Sequence, residues 1–530
     1  MKGDFSRNTF QQRHHFARVL MQQGRVLLDA DWNEQTAILL HYLRTLASDL
    51  IGPHGGPGEG FRIVCKDYKN DFEISRGHYY VDGILCENDP PRHCPPANEV
   101  LPLTYSNQPD LPLREDDGER LENGRSYLVY LDVWERHLNT LQADQIREVA
   151  LGGPDTATRA QTIWQVKATP IPDEMAEITN CQELINALLV EGRPPCMKAR
   201  ARIETASSDP CIIPPEARYR GAENQLYRIE IHHGGADAGQ TTYKWSRDNG
   251  SVVFGIRTLQ GNRVTLESLG PDKHHGIKDD DWVEIVDDYS VLRSVSRRLL
   301  RVKAVDRAGF AVTLEVPEGS DLPVFDENSI THPLLRRWDN RSEAIPLQEG
   351  EWITLEDGVQ VHFEPGGSYR SGDYWLITAR TAIGDVLWAK GKGQDGEIEV
   401  EPIALPPDGV NHHRAPLARI SINGNGEVSL DADCRCSFSS HCGTNESLSS
   451  YGIGGQRPER FPVNEIDGIG ETFALRLGAA GITDATDLLH HDPEELGRIL
   501  APPGGRPLAR ERIDKIIESA TRYIEKTGTE

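Results

Sequence analysis

The chain has 530 residues, a formal net charge of −25, 38% hydrophobic and 26% charged residues, with 49 Gly and 33 Pro. Its length implies several domains at about 100–200 residues each, and its hydrophobic share is too high for general disorder. The charge argues against non-specific binding to nucleic acid or an anionic membrane, since like charges repel, and no apolar run reaches the ~18 residues of a spanning helix.

The opening MKGDFSRNTF lacks the apolar core of a signal peptide, so synthesis in the cytoplasm is expected. Nine cysteines, an odd number scattered over a long chain, favour reduced thiols over a disulfide framework. The charge is uneven. Residues 1–60 carry six basic and six acidic side chains, residues 461–530 are net −5, and the middle holds the remaining −20.

Residues 1–60 read as an extended piece followed by two helices. Phe16 to Gln23 is apolar and long-chained, and Gly24 suits a helix C-terminus. Asp31 stands three residues before Glu34, as in a capping box. Behind it Trp32, Leu39, Leu43, Leu46 and Leu50 define one apolar face, with Ile38, Leu40 and Tyr42 off it. A helix apolar over more than one stripe is expected to be covered. Gly52-Pro53 ends it and leads into a Gly/Pro loop.

Residues 61–430 read as a β-rich body, sandwich- or barrel-like, with possible subdomain boundaries near 200–220 and 320–345. Runs such as Ser126–Val133, Leu226–His232, Trp282–Val286 and Tyr374–Thr378 are β-branched or aromatic. Asp248-Asn249-Gly250, between Tyr243–Trp245 and Val252–Phe254, predicts a hairpin. One helix is expected within 174–191. Residues 431–460, rich in Cys, Ser and Gly, read as a linker. After Phe461 the texture is helical: Gly468-Ile469-Gly470 opens one helix, Asp492-Pro493 caps another, and a last one runs to about Lys526. The expected fold class is multidomain α+β: a mainly β body, a helical N-terminal segment and a small all-α C-terminal domain.

Candidate chemistry is thin. Cys434, Cys436, His441 and Cys442 lie within nine residues, but adjacent His441 and Cys442 strain a zinc geometry, so they are weak metal candidates. His274-His275 with Asp279-Asp280-Asp281 reads as a solvated turn rather than a metal site. Neighbours in His232-His233 and His412-His413 would point to opposite faces of a strand. The Asp29-x-Asp31-x-Asn33 spacing resembles the start of a calcium loop, but the required Gly and distal Glu are absent. No nucleophile elbow, zinc-protease motif or P-loop is present.

Two stretches carry resemblances. Arg18–Gln35, RVLMQQGRVLLDADWNEQ, resembles the opening motif of a bacterial family whose genes sit among phage-tail-like contractile injection systems. KGDFSRNTF, YKWSRDNGSVVF, SYRSGDYWLITAR and HHRAPLA match the same family, so the resemblance touches about residues 1–430. It is also similar, more distantly, to N-terminal segments of baseplate and tail-fibre proteins. VNEIDGIGETFALRLGAAGI, from Val463, resembles a helix-hairpin-helix module around Gly468, Ile469 and Gly470. The turn of such a module suits a phosphate, but the net −5 favours protein contact over DNA.

The resemblance implies a non-enzymatic structural component of an injection particle, baseplate-associated or fibre-like. It would be made in the cytoplasm, present in several copies among the other subunits, and released with the particle. No cofactor is expected. The expected docking motif is Gln23, Gly24, Arg25, Asp29, Asp31, Trp32, Asn33, Glu34 and Gln35, with Trp32 as anchor. Two alternatives are a glycan- or surface-binding module, which needs exposed aromatics such as Tyr369, Tyr374 and Trp375, and a metal-dependent hydrolase.

Overall fold

The computed structural model describes residues 1–438 apart from 67, 89–101, 112–118, 154, 191, 203–217, 236–237, 273, 318–330 and 393–397. It also describes residues 463–527 apart from 464–465, 467, 481, 483–484 and 502–505. The chain forms two compact units, Met1–Phe438 and Ser439–Glu530. The first is mainly β; the second is helical.

Residues 1–28 run extended over the first unit, with one short 3-10 turn at Gln12–His14, and lead into helix α1, Asp29–Ile51. The second N-terminal helix expected over Phe16–Gln23 is absent. That run is almost wholly exposed, and so short a helix is not stable in water without packing. Gly24, with φ of +68°, instead sits in an exposed turn.

Three β layers follow. The strand Ser126–Leu138 pairs with Arg159–Pro170 over twelve residues on one edge and with His413–Ile422 on the other. Period-two alternation divides its side chains. Tyr127, Val129, Leu131 and Val133 enter a core shared with the strands Gly77–Val81 and Ile84–Asn88. Leu128 and Tyr130 pack against helix α2, Cys181–Leu188. Burial on both faces explains why this strand lacks an alternating polar pattern.

Next, the five-stranded sheet built on Gln225–His233 and Tyr374–Arg380 faces a three-stranded sheet with Met197–Ala201 and Val359–Phe363. Tyr227, Ile229, Trp245, Trp375, Val361 and Phe363 fill the space between them. A closed six-stranded barrel, Val253 to Trp338, lies between the strands of that sandwich in sequence. Helix α3, Asp288–Leu292, is within this stretch and opens with an Asp287–Ser290 capping box. Sandwich and barrel are thus both present.

Asp248-Asn249-Gly250 does not close a hairpin. Thr242–Ser246 belongs to the sandwich and Val253–Gln260 to the barrel, so the turn hands the chain from one sheet to another. Both Asn249 and Gly250 take positive φ, as the Asn-Gly signal requires. Asn249 is buried, and its amide donates to the Met1 and Gly3 carbonyls.

The cysteines also depart from expectation. Cys181 and Cys434 form a disulfide across 253 residues, tying the start of α2 to the chain just after the strand Val428–Asp433. Scattered cysteines gave no sign of it because the pairing is made by tertiary approach. Cys65, Cys86, Cys196 and Cys436 are free thiols.

The second unit holds α4 (Glu471–Ala479), α5 (Ala485–His490), α6 (Pro493–Ile499) and α7 (Arg510–Thr527). Ile469, Leu477, Leu488, Leu496, Ile513 and Ile516 share one core. Asp492 caps α6, accepting from the Glu494 and Glu495 amides, with Pro493 at the first position.

Candidate functional site

Two places in the first unit concentrate chemistry or contact potential: helix α1 and a polar cleft in the β body.

α1 has two unlike faces. Ile38 and Ala30 are buried, and Arg44 donates to Glu135 at 2.7 Å. The turn at Asp82-Gly83 lies so close that a Cβ on Gly83 would sit 2.1 Å from the Arg44 carbonyl oxygen, which only glycine permits. The other face is open to solvent. Trp32 is 78% exposed, Leu43 61%, Leu46 57% and Leu50 78%, and Leu39, Leu40 and Tyr42 are exposed as well. Val26, Leu27 and Leu28, just before the helix, add to it. The apolar face anticipated from spacing therefore exists, and nothing among the described residues covers it. Contiguous apolar area of this kind marks an interaction surface.

The motif's polar residues have a different task from the one expected. α1 begins at Asp29, and its N-cap, Leu28, makes no side-chain cap. Asp31 and Glu34 thus lie inside the helix and form no capping box. Instead the Asp29 carboxylate accepts from the Ser6 amide at 2.8 Å, Glu34 accepts from the Thr9 hydroxyl at 2.6 Å, and Gln35 accepts from the Val19 amide at 2.8 Å. Burial would raise the Asp29 carboxyl, but the Ser6 hydrogen bonds outweigh it and lower its pKa. These hydrogen bonds clamp residues 6–19 along α1, while Trp32 and Asn33 stay exposed. Gln23, Gly24 and Arg25 form the exposed turn before the helix.

The cleft has a volume of about 620 Å³. Asp132, Glu230 and Glu284 line it, each facing cations. Lys2 reaches Glu230 at 2.9 Å, Arg228 reaches it at 2.6 Å, and Lys244 reaches Glu284 at 2.7 Å. Trp338 Nε1 also donates to Glu284. Burial would raise the Glu230 carboxyl, yet Lys2, Arg228 and Lys244 hold it well below the usual range. Burial likewise opposes ionisation of Asp132, but His412 and Lys167 outweigh it and hold its carboxyl below the usual range. Burial pushes the Lys2 ammonium down to about 8. Burial with nearby cations takes the His137 imidazole down to about 3. Carboxylates held this firmly ionised are poor proton acceptors near neutrality, because a general base works best with a pKa near the operating pH.

The remaining candidates disperse. Cys434 is consumed in the disulfide, Cys436 is an exposed thiol, and His441 and Cys442 lie outside the described residues. His275 bonds Asp272, Asp279 accepts from the Val305 amide, Asp280 pairs with Arg301, and Asp281 accepts from the Lys278 amide. Among the described residues no group of three or more His, Cys, Asp or Glu is placed to hold a metal. His232 is buried and His233 exposed. His412 and His413 reach different carboxylates, Asp132 and Asp82. Tyr369 and Trp375 are buried in the sandwich core, and Tyr374 is buried on the other face of its strand against Arg228 and Met1, so none is displayed on the surface. The polar network around Glu230 escaped sequence reasoning because its members are scattered in sequence; the one local signal is Arg228-x-Glu230 on a strand.

Comparison with known proteins gives one match. A family model described as a family of unknown function (DUF6519) covers residues 1–189 and 169–454. No curated protein and no solved structure matches the chain. The helices from Glu471 onward lie outside the matched residues.

Proposed function

The chain belongs to this family of unknown function, and from its own surface we propose that it is a structural, non-enzymatic component of a phage-tail-like contractile injection particle. It acts through protein–protein contacts in a baseplate-associated or fibre-like position. The observation that carries this reading is the uncovered apolar face of α1, held in place by the same motif residues, Asp29, Glu34 and Gln35, whose sequence resembles particle-associated proteins. A solvent-facing leucine row is costly unless a partner covers it.

Three further features support the reading. The cleft carboxylates are committed to ion pairs. The Cys181–Cys434 disulfide suits an oxidising setting outside the cell, where a released particle would sit. The acidic C-terminal unit, if it is the helix-hairpin-helix module it resembles, serves as a protein-docking arm rather than a nucleic-acid binder. The glycan-binding alternative loses its aromatic platform with Tyr369, Tyr374 and Trp375 buried.

Particles purified from cells carrying an epitope-tagged chain test the proposal. The tag is expected to co-purify with sheath and baseplate and to be located by labelled electron microscopy. Purified particles that carry no tagged chain overturn it.

A further inference from the structure

The exposed residues of α1 form one row along the helix. Trp32, Thr36, Leu39, Leu43, Leu46 and Leu50 follow one another at intervals of 4, 3, 4, 3 and 4 residues. All six are exposed. The alternation of four and three places the six at successive seam positions of a heptad, where in a coiled coil each knob enters a hole on a facing helix carrying a similar repeat. Here the body takes the opposite face, through Ile38 and Arg44.

From this we propose that copies of this chain associate through α1, seam against seam. The proposal rests on the assembly reading for its choice of surface and adds the identity of the partner.

Three observations select a second copy. First, a seam of this repeat calls for another helix with the same unfilled repeat, and α1 itself presents one. By contrast, α7 turns Ile513, Ile516 and Ala520 into its own unit's core. Second, the positions flanking the seam are Asn33, Leu40 and Ala47 on one side and Gln35, Tyr42 and Asp49 on the other. Asp49 is the single charge among them, so two copies meet with little repulsion. This matters in a chain of net charge −25, and residues 1–60 are its balanced part. Third, the area suffices. The seven large apolar side chains of the face expose on the order of 100 Å² each, roughly 700–800 Å² per copy, against about 800 Å² per partner in a standard stable interface. Exposed Leu40 and Tyr42 widen the seam beyond the core positions, which suits a bundle of more than two helices.

Sedimentation equilibrium of the purified full-length chain at micromolar concentration tests this. The wild-type mass is expected to be a whole multiple, two or more, of the monomer. The Leu39→Lys/Leu46→Lys double variant is expected to sediment as a monomer with its circular dichroism unchanged, because both side chains are exposed within a single chain. A second reading localises the contact: Leu43→Cys, with every cysteine other than the bonded Cys181 and Cys434 replaced by serine, is expected to cross-link between chains with a short bismaleimide. A wild-type chain that stays monomeric at ~100 µM, or a double variant that keeps the wild-type mass, overturns the proposal. A monomer that still enters particles removes self-association and leaves the assembly reading intact. An oligomer that never enters particles supports self-association and removes the assembly reading.

Discussion

Helices α1 and α7 share a sequence pattern and differ in what the fold does with it. Both are long, and both carry an apolar row. In α7 that row, Ile513, Ile516 and Ala520, closes the core of the C-terminal unit. In α1 the row from Trp32 to Leu50 faces water, and the packed side is the poorer one, with only Ala30 and Ile38 buried. Periodicity reports which side chains share a face; it does not report what lies opposite. The same physical drive that builds a core in one helix leaves the other with a surface that calls for a partner.

The sharpest way to break this comparison is to truncate a leucine of equal size in each setting. Leu477→Ala, in the core that α7 closes, is expected to cost about 2–5 kcal/mol, because it removes buried contacts and leaves a cavity. Leu46→Ala in α1 is expected to stay within about 0.5 kcal/mol of wild type in the dissociated chain. Urea unfolding of each unit's signal measures both. A large loss at Leu46 would mean that α1 is covered within its own chain.

Next in size is the disulfide, which acts on the β unit alone. Cys181→Ser is expected to lower that unit's stability by about 2–4 kcal/mol and to leave the α7 unit's transition in place. Differential scanning calorimetry separates the two transitions. A shift in both would show that the units unfold together.

Acid provides a smaller and graded contrast. Burial, with the nearby Lys244, takes His232 down to about 3, so the folded β unit keeps this imidazole neutral. An unfolded histidine binds its proton near pH 6.5. As pH falls below 6.5 the unfolded state therefore gains protons that the folded state refuses. Stability drops by about 1.4 kcal/mol per pH unit for this group until pH nears 3. His232→Gln is expected to flatten that slope in the β unit's urea midpoint measured from pH 6.5 to 4.5. An unchanged slope would assign the acid sensitivity to other groups.

Much of the architecture was legible in the sequence. The run Ser126–Val133 of the longer strand Ser126–Leu138, the Asp492-Pro493 cap and the α1 apolar face all follow from local pattern. What was not legible depends on distant parts of the chain. Asp31 and Glu34 have the spacing of a capping box, yet the extended N-terminal segment claims Asp29 and Glu34 from 23 and 25 residues away. Asn249-Gly250 has the sequence of a hairpin turn, but the two strands it joins enter different sheets. Cys434 looked like part of a local cluster and is paired with Cys181. Aromatics at 369–375 read as a display surface and are core, because both faces of that strand are covered.

The central claim is that the exposed face of α1 is where this protein docks. Particle incorporation of Leu39→Lys/Leu46→Lys, quantified against wild type from the same cells by mass spectrometry of purified particles, tests it most directly. At least a tenfold loss of incorporation is expected, with the chain's soluble level and circular dichroism unchanged. Equal incorporation of the two chains would contradict it.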